Sequence, residues 1–269
     1  VGVDISWDDL RSRYDAVIVA TGAPVGRDLQ IPGRELSGIH FAMDYLVRSN
    51  RAVAGNAPSD LIDAAGKHVI ILGGGDTGAD CIGTALRQGA ASVTTLAIGK
   101  QPPHERSAHQ PWPMDPTLFE VQSAHEEGGV RQYLASTVEF VGDADGQVTG
   151  LKVAETEYFE GGRRPIPGSE KEIPADLVFL ALGFTGVEQD TVVAQLGLDV
   201  TTRGVVGRSK HFETNVPGVF VAGDAGRGAS LIVWAIAEGR AAAARADLYL
   251  SGRTELPAPV LATDTPIHF

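Results

Sequence analysis

Apolar positions along this chain come mostly in continuous runs rather than alternating ones. Ala16–Ala20 is such a run and stops at Thr21-Gly22. His68–Leu72 ("HVIIL") runs into Gly73, and the next strand, Ser92–Ile98 ("SVTTLAI"), ends at Gly99. "ADLVFLALG" ends at Gly183, and "GVFVAG" at Gly223. A short unbroken apolar run is the signature of a parallel strand buried on both faces. Helical signals start near Phe41. They return from about Thr77 to Gln88, stopped by Gly89, and again in a long stretch after Gly223, stopped by Gly252. Residues 68–98 therefore read as one β-α-β unit of about 30 residues. Residues 52–66 read as a loop. The proline-rich stretch 100–117 is excluded from regular helix. Between 137 and 160 the pattern changes to two strands joined by a turn at Asp143–Gly146, with a further turn at Gly161-Gly162. From Thr254 the chain reads as a loosely held tail.

Composition narrows the class. The chain has 269 residues, of which 43% are hydrophobic and 21% charged, as in a globular protein with a core. Its 33 glycines suit a fold with many tight strand-to-helix turns. The formal net charge of −12 argues against nucleic acid as a partner. No apolar run reaches the ~18–20 residues of a bilayer span, so no membrane association is expected. The first residues, "VGVDISWDDL", lack the basic-then-apolar pattern of a secretory signal. Cys81 is the only cysteine, so no disulfide framework and no cysteine-held metal or iron–sulfur cluster is expected within this chain. A cytoplasmic protein is the default expectation.

Candidate chemistry concentrates at "LGGGDTGADC". Gly73, Gly75 and Gly78 fit G-x-G-x-x-G between a strand and a helix, with Gly74, Asp76 and Thr77 completing the turn. The first glycine permits the turn, the second lets the backbone approach a pyrophosphate, and the third lets the helix pack closely on the sheet. Free N–H groups and the positive end of the helix dipole then bind the phosphates. Asp76 would repel a phosphate that it faced, so it is expected to point away and hydrogen-bond backbone. An NAD site places an acid after the second strand. Here no acid lies between Asp80 and Glu105, and Lys100 occupies the expected position, with Arg106 in the next loop. A cation there suits a 2′-phosphate and favours NADP(H).

The stretch "VFVAGDAGRGASLIVWAIAEGR" adds a second signal. An aspartate after a strand-end glycine can accept a hydrogen bond from a ribityl hydroxyl, and the following helix offers N–H groups to a flavin edge. The stretch resembles the C-terminal FAD signature of flavoproteins with two dinucleotide-binding domains. "VIVATGA" resembles their strand-end A-T-G motif, and "LALGF", with Gly183, its counterpart at the return from the NADP(H) domain. Together with "GGGDTGADC" and "AHEEGG", these motifs resemble the small (beta) subunit of NADPH-dependent glutamate synthases over nearly the whole chain.

That resemblance implies an α/β fold of two Rossmann-like dinucleotide-binding domains, the NADP(H) domain inserted into a truncated FAD domain. The expected pieces are 1–37 and 185–253 for FAD, 38–184 for NADP(H), and a tail at 254–269. It implies hydride transfer from NADPH to FAD. Electrons would then pass through iron–sulfur clusters to a large (alpha) subunit, where 2-oxoglutarate and glutamine-derived ammonia become glutamate. On that pattern Gly223 and Asp224 hold the ribityl chain, Ser230, Leu231 and Ile232 lie by the flavin, and Thr21 and Gly22 line the same cofactor. The family's N-terminal cluster-binding domain and FAD-binding G-x-G-x-x-G are not in this sequence. A fragment is therefore expected, with an incomplete FAD site, weak or absent FAD binding and no clusters. Two other readings keep the fold: an NADPH–FAD module serving a different acceptor, and an NADP(H)-binding module without turnover.

The remaining candidates read as structural. Cys81 reads as a buried thiol. His104, His109 and His125 have no metal-site spacing, and no nucleophile elbow supports Ser-His-Asp chemistry. Trp112 reads as either a loop anchor or a subunit contact. Glu238 and Arg240 read as a solvated helix face. No acid or base catalyst is required, since hydride transfer rests on positioning and cofactor electronics.

Overall fold

The computed structural model describes residues 1–112, 114 and 116–265. The chain divides into two compact units. Val1–Gly26 joins the described residues from Gly183 in one unit, and Arg27–Leu182 forms the other, inserted between those two pieces of the chain.

The outer unit begins with α1 (Trp7–Arg13), whose N-cap Ser6 accepts a hydrogen bond from the Asp9 N–H. It continues with β1 (Val17–Val19) and β2 (Val25–Gly26). The inserted unit follows: β3 (Ile39–Phe41), α2 (Ala42–Val53), β4 (His68–Leu72), α3 (Asp76–Arg87), β5 (Ser92–Ala97), α4 (Ser123–Glu126), β6 (Val130–Tyr133), β7 (Ala135–Gly142), β8 (Val148–Phe159), β9 (Gly162–Pro165), β10 (Lys171–Pro174) and β11 (Leu177–Leu180). The chain returns to the outer unit with β12 (Phe184–Gly186), β13 (Val219–Val221), α5 (Asp224–Arg227) and α6 (Ile232–Ser251).

In the inserted unit, β3-β11-β4-β5-β6 make a sheet whose pairings are all parallel. Both faces are covered, which explains the unbroken apolar runs. Val69, Ile71, Val93, Leu177 and Phe179 face α2 and α3, where they meet Ala42, Tyr45, Cys81, Ile82 and Ala85. Ile70, Leu72, Leu96, Val178 and Leu180 face the other way, against Phe140, Val148, Leu151 and Val153 of the antiparallel strands β7 and β8. The unit is thus helix, parallel sheet and antiparallel sheet in three layers. Burying a side chain such as Ile71 or Phe179, both at 0% exposure, stabilises it by about 1.5–3 kcal/mol. Tyr45 stacks on Phe179 with ring centroids 4.0 Å apart.

In the outer unit β1 and β13 pair in parallel, Val17 opposite Val219 and Val19 opposite Val221. Trp7, Val19, Val187, Val192, Leu196, Val206, Val219 and Val221 form its core. Residues 14–23 and 218–226, which the sequence assigns to one flavin-type domain, are therefore hydrogen-bonded neighbours.

The division differs from the expected boundaries. The first crossing falls at Gly26/Arg27 rather than 37/38, because Leu29, Ile31 and Leu36 pack on the core of the inserted unit. The return falls at Leu182/Gly183 rather than 184/185, because Phe184 and Gly186 pair with β2. The segment after Thr254 is held rather than loose: Val260 and Ala262 pack against Phe212, Ala241 and Ala242. The Ala262 N–H donates to the Lys210 carbonyl, and Arg227 donates to the Asp264 carbonyl. Residues 266–269 of the expected tail lie outside the described residues.

Candidate dinucleotide-binding site

The turn after β4 is built for close approach. Gly73 has φ +119°, and a Cβ there would lie 2.1 Å from the Ala181 carbonyl oxygen on the neighbouring strand's end. A Cβ at Gly78 would lie 2.8 Å from the Gly73 carbonyl oxygen, so the first turn of α3 rests directly on the loop. Gly75 differs: no heavy atom lies within 4 Å of its Cβ position. Its lack of a side chain answers no packing need and leaves the backbone open to a ligand. Gly75 is the N-cap of α3 and makes no side-chain cap bond. Among the described residues nothing accepts from the N–H groups of Gly74, Gly75, Asp76, Thr77 or Gly78. These donors, with the helix dipole behind them, are the groups that an anion placed at the start of this 12-residue helix would meet.

The Asp76 carboxylate is bonded to a side chain rather than to the expected backbone partner. Its Oδ1 accepts from Gln122 Nε2 at 2.5 Å. Gln122 is itself fixed, since its N–H donates to His125 Nδ1 in the capping box of α4. The sequence reading missed Gln122, because its contact with Asp76 spans 46 residues. His125 is accordingly a helix cap. Its pKa is lowered by burial and by Arg131. Among the described residues no group of three or more His, Cys, Asp or Glu could hold a metal ion.

The end of β5 lies beside the turn, with Leu72 opposite Leu96. Lys100 sits just past it and is exposed. Its N–H donates to Tyr158 Oη at 3.1 Å, and its ammonium lies 4.8 Å from the centre of that ring. Arg106 is committed elsewhere, with Nη1 donating to the Gln110 and Met114 carbonyls of its own loop. Cys81 is buried, and burial pushes its thiol up to about 12. Trp112 is 83% exposed, so it anchors nothing among the described residues.

In the outer unit the carboxyl ends of β1 and β13 lie together, and the Ala222 N–H donates to the Val19 carbonyl. Gly22, Gly183 and Gly223 have φ of +77°, +84° and +66°. Gly223 and Asp224 follow β13. Ser230, Leu231 and Ile232 open α6, where Leu231, Ile232, Val233 and Ile236 are all exposed. The Ile232 and Val233 N–H groups have no acceptor among the described residues. The apolar surface and free donors at this helix start fit the edge of a flat heteroaromatic ring.

Glu238 is not on a solvated face, as the sequence suggested for it and Arg240: its exposure is 0%. It accepts from Arg208 Nη1 at 2.7 Å, Arg208 Nη2 at 2.9 Å, Arg227 Nε at 2.6 Å and the Gly223 N–H at 2.9 Å. Burial pushes its pKa up, but the two guanidinium groups prevail and hold the carboxyl below the usual range. Glu238 thereby fixes the backbone of the Gly223 turn. Its spacing to the buried Ala241 and Ala242 is the sequence signal that marks it as inward-facing.

A glycine turn opening a helix at the middle of a parallel sheet, inserted in a second unit with its own strand–glycine–aspartate turn, defines a pyridine-nucleotide oxidoreductase. Residues 6–239 match the family described as pyridine nucleotide-disulphide oxidoreductase, and the chain belongs to that family. It is 51% identical over its whole length to a glutamate synthase [NADPH] small chain of Mycobacterium tuberculosis, covering 56% of that protein. It is 44% identical to the corresponding chain of Bacillus subtilis, with 96% of this chain and 55% of that one matched. The chain thus spans about half the length of these relatives. Its fold is that of Mycobacterium tuberculosis FprA, solved in complex with NADPH, at a TM-score of 0.65 and 19% identity, covering 93% of this chain and 66% of that one. No helix among the described residues is long and apolar enough to cross a membrane.

Proposed function

We propose that the chain is the electron-input part of a glutamate synthase: NADPH binds the inserted unit, FAD binds the outer unit, and electrons leave for a large subunit that makes glutamate. The turn Gly73–Gly78 carries this reading, because its open Gly75 and free N–H groups have no structural use of their own. The small-chain names of the M. tuberculosis and B. subtilis relatives support it. So does the NADPH complex of FprA, which shares the fold.

On this reading Gly74, Gly75, Asp76, Thr77 and Gly78 offer N–H groups to the NADPH pyrophosphate, and Lys100 faces the 2′-phosphate. Thr21, Gly22, Gly183, Gly223 and Asp224 line the flavin cofactor. Asp224 accepts from the ribityl chain, and the free N–H groups of Ile232 and Val233 meet the ring edge. Bound FAD would supply an acceptor for two electrons that releases them singly. The residues act by binding and orientation, and none is assigned a proton. The cytoplasm is the proposed compartment.

The test is NADPH-dependent reduction of an artificial acceptor with FAD added, followed by glutamine-dependent glutamate formation with a large subunit. Both activities are expected when the protein tested also supplies the FAD-binding turn and the iron–sulfur clusters that the resemblance implies. Dye reduction without glutamate formation would favour another acceptor, and NADPH binding without turnover would leave a nucleotide-binding module.

A further inference from the structure

We propose that the 2′-phosphate subsite is two-sided: Arg163, brought by the tip of the β8–β9 hairpin, completes with Lys100 a cation pair that selects a phosphomonoester on the adenosine ribose. The proposal rests on the NADP(H) reading of the Gly73–Gly78 turn.

The adenosine of a dinucleotide held at such a turn lies over the end of the next strand, here β5. A Cβ at Gly74 would lie 3.6 Å from the Ala97 Cβ, so the end of β5 adjoins the turn. The hairpin reaches the same place from the antiparallel layer. β8 runs for 12 residues to Phe159, Gly161 turns at φ +99°, and β9 returns with Arg163 opposite Tyr158. A side chain at Gly99 would put its Cβ 3.3 Å from Arg163 Nη1 and 3.7 Å from Tyr158 Oη. Both groups therefore lie directly over the backbone that precedes Lys100. Gly99 is small because the guanidinium occupies that space.

Alternation along the strands separates the neighbouring charges. Arg164 pairs with Glu157 at 2.7 Å and lies over the Phe159 ring at 5.2 Å. Among the described residues no carboxylate pairs with Arg163 or Lys100. In a chain of net charge −12, Tyr158 accepts from the Lys100 N–H and lies under its ammonium, and it sits opposite Arg163 across the hairpin. A phosphate dianion seated over this backbone would be within reach of both side chains. The guanidinium offers a planar fork to phosphate oxygens, and the ammonium a point charge. Arg106, the second cation that the sequence offered, is bonded to its own loop instead.

The test is equilibrium titration of the full chain with NADPH and NADH, repeated with 2′,5′-ADP and 5′-AMP, which carry only the adenosine half. Arg163→Ala is expected to weaken NADPH and 2′,5′-ADP by about 10- to 100-fold, the range for losing a charge-assisted contact. NADH and 5′-AMP should change by less than about twofold. Arg163→Lys should restore part of the loss, and Arg163→Ala combined with Lys100→Ala should abolish the preference for the 2′-phosphate. Circular-dichroism melting of each variant reports whether the hairpin remains folded. The proposal is overturned if Arg163→Ala leaves NADPH binding unchanged, or weakens NADPH and NADH equally. An unmodified chain that prefers NADPH while the variant matches it removes only Arg163. An unmodified chain that binds neither nucleotide removes the NADP(H) reading, and the subsite with it.

Discussion

The turns after β4 and β13 are both glycine-rich and both lead toward a helix, but their backbones are treated differently. After β4 the N–H groups from Gly74 to Gly78 have no acceptor among the described residues, and none of these residues fills the Gly75 side-chain position. After β13 the Gly223 N–H is taken by a carboxylate, Glu238, that two arginines hold in place. A Cβ at Gly223 would meet the Ala235 Cβ at 3.5 Å. The first turn is shaped by what it leaves open, the second by what is buried beneath it. A binding residue can therefore fail in two ways: it can lose the ligand and keep the fold, or lose both together.

The largest effect is expected at Glu238. Glu238→Ala leaves Arg208 and Arg227, with side chains only 6% and 12% exposed, facing an empty space. Breaking a buried ion pair from one side costs about 3–5 kcal/mol. Urea unfolding should show that loss. Glu238→Gln, which keeps one acceptor oxygen, should lose less.

The same carboxylate sets a pH dependence. Its pKa in the folded chain lies below its unfolded value. Its stabilisation is present above the unfolded glutamate range of about 4.3 and is lost as pH falls through the folded value. Acid unfolding of the unmodified chain should therefore steepen below about pH 4, and Glu238→Gln should flatten that limb.

Smaller effects separate the glycines of the first turn. Gly78→Ala forces a methyl against the Gly73 carbonyl and should cost about 1–3 kcal/mol as overpacking. Gly75→Ala has free space and an extended backbone, so stability should fall by less than about 1 kcal/mol. Its nucleotide affinity should nonetheless fall by about tenfold, or about 1.4 kcal/mol, because the methyl enters the ligand's path. Equal stability losses at Gly75 and Gly78 would erase the distinction between an open glycine and a packed one. The smallest expected effect is at Cys81. Its buried thiol, pushed up to about 12, should resist alkylation at neutral pH in the folded chain and react on unfolding.

The comparison also marks what the sequence could show. The strand His68–Leu72, the turn at Gly73–Gly78 and the helix after it are legible, because their signals are local: an apolar run, fixed glycine spacing and a stop at Gly89. The pairing of residues 14–23 with 218–226 was legible through motif resemblance. The ion pairs of Glu238 were not, because Arg208 and Arg227 sit 30 and 11 residues away, although its spacing to Ala241 and Ala242 marks the inward face. Gln122 and Arg163 were missed for the same reason, each reaching its contact from a distant segment. Short polar strands such as β9 ("GRRP") and β10 ("KEIP") carry no apolar pattern and exist only through pairing with β8. The lack of regular helix in the described residues of 100–117 was legible from the prolines, but the bonds of Arg106 to that loop were not.

The central claim is that the turn Gly73–Gly78 is a pyrophosphate cradle, and calorimetric titration of the full chain with NADPH tests it most directly. Saturable one-to-one binding is expected for the unmodified chain, with about tenfold weakening in Gly75→Ala and a stability loss below about 1 kcal/mol. An unmodified chain that takes up no NADPH, or a Gly75→Ala variant that binds it as tightly as the original, would contradict the account.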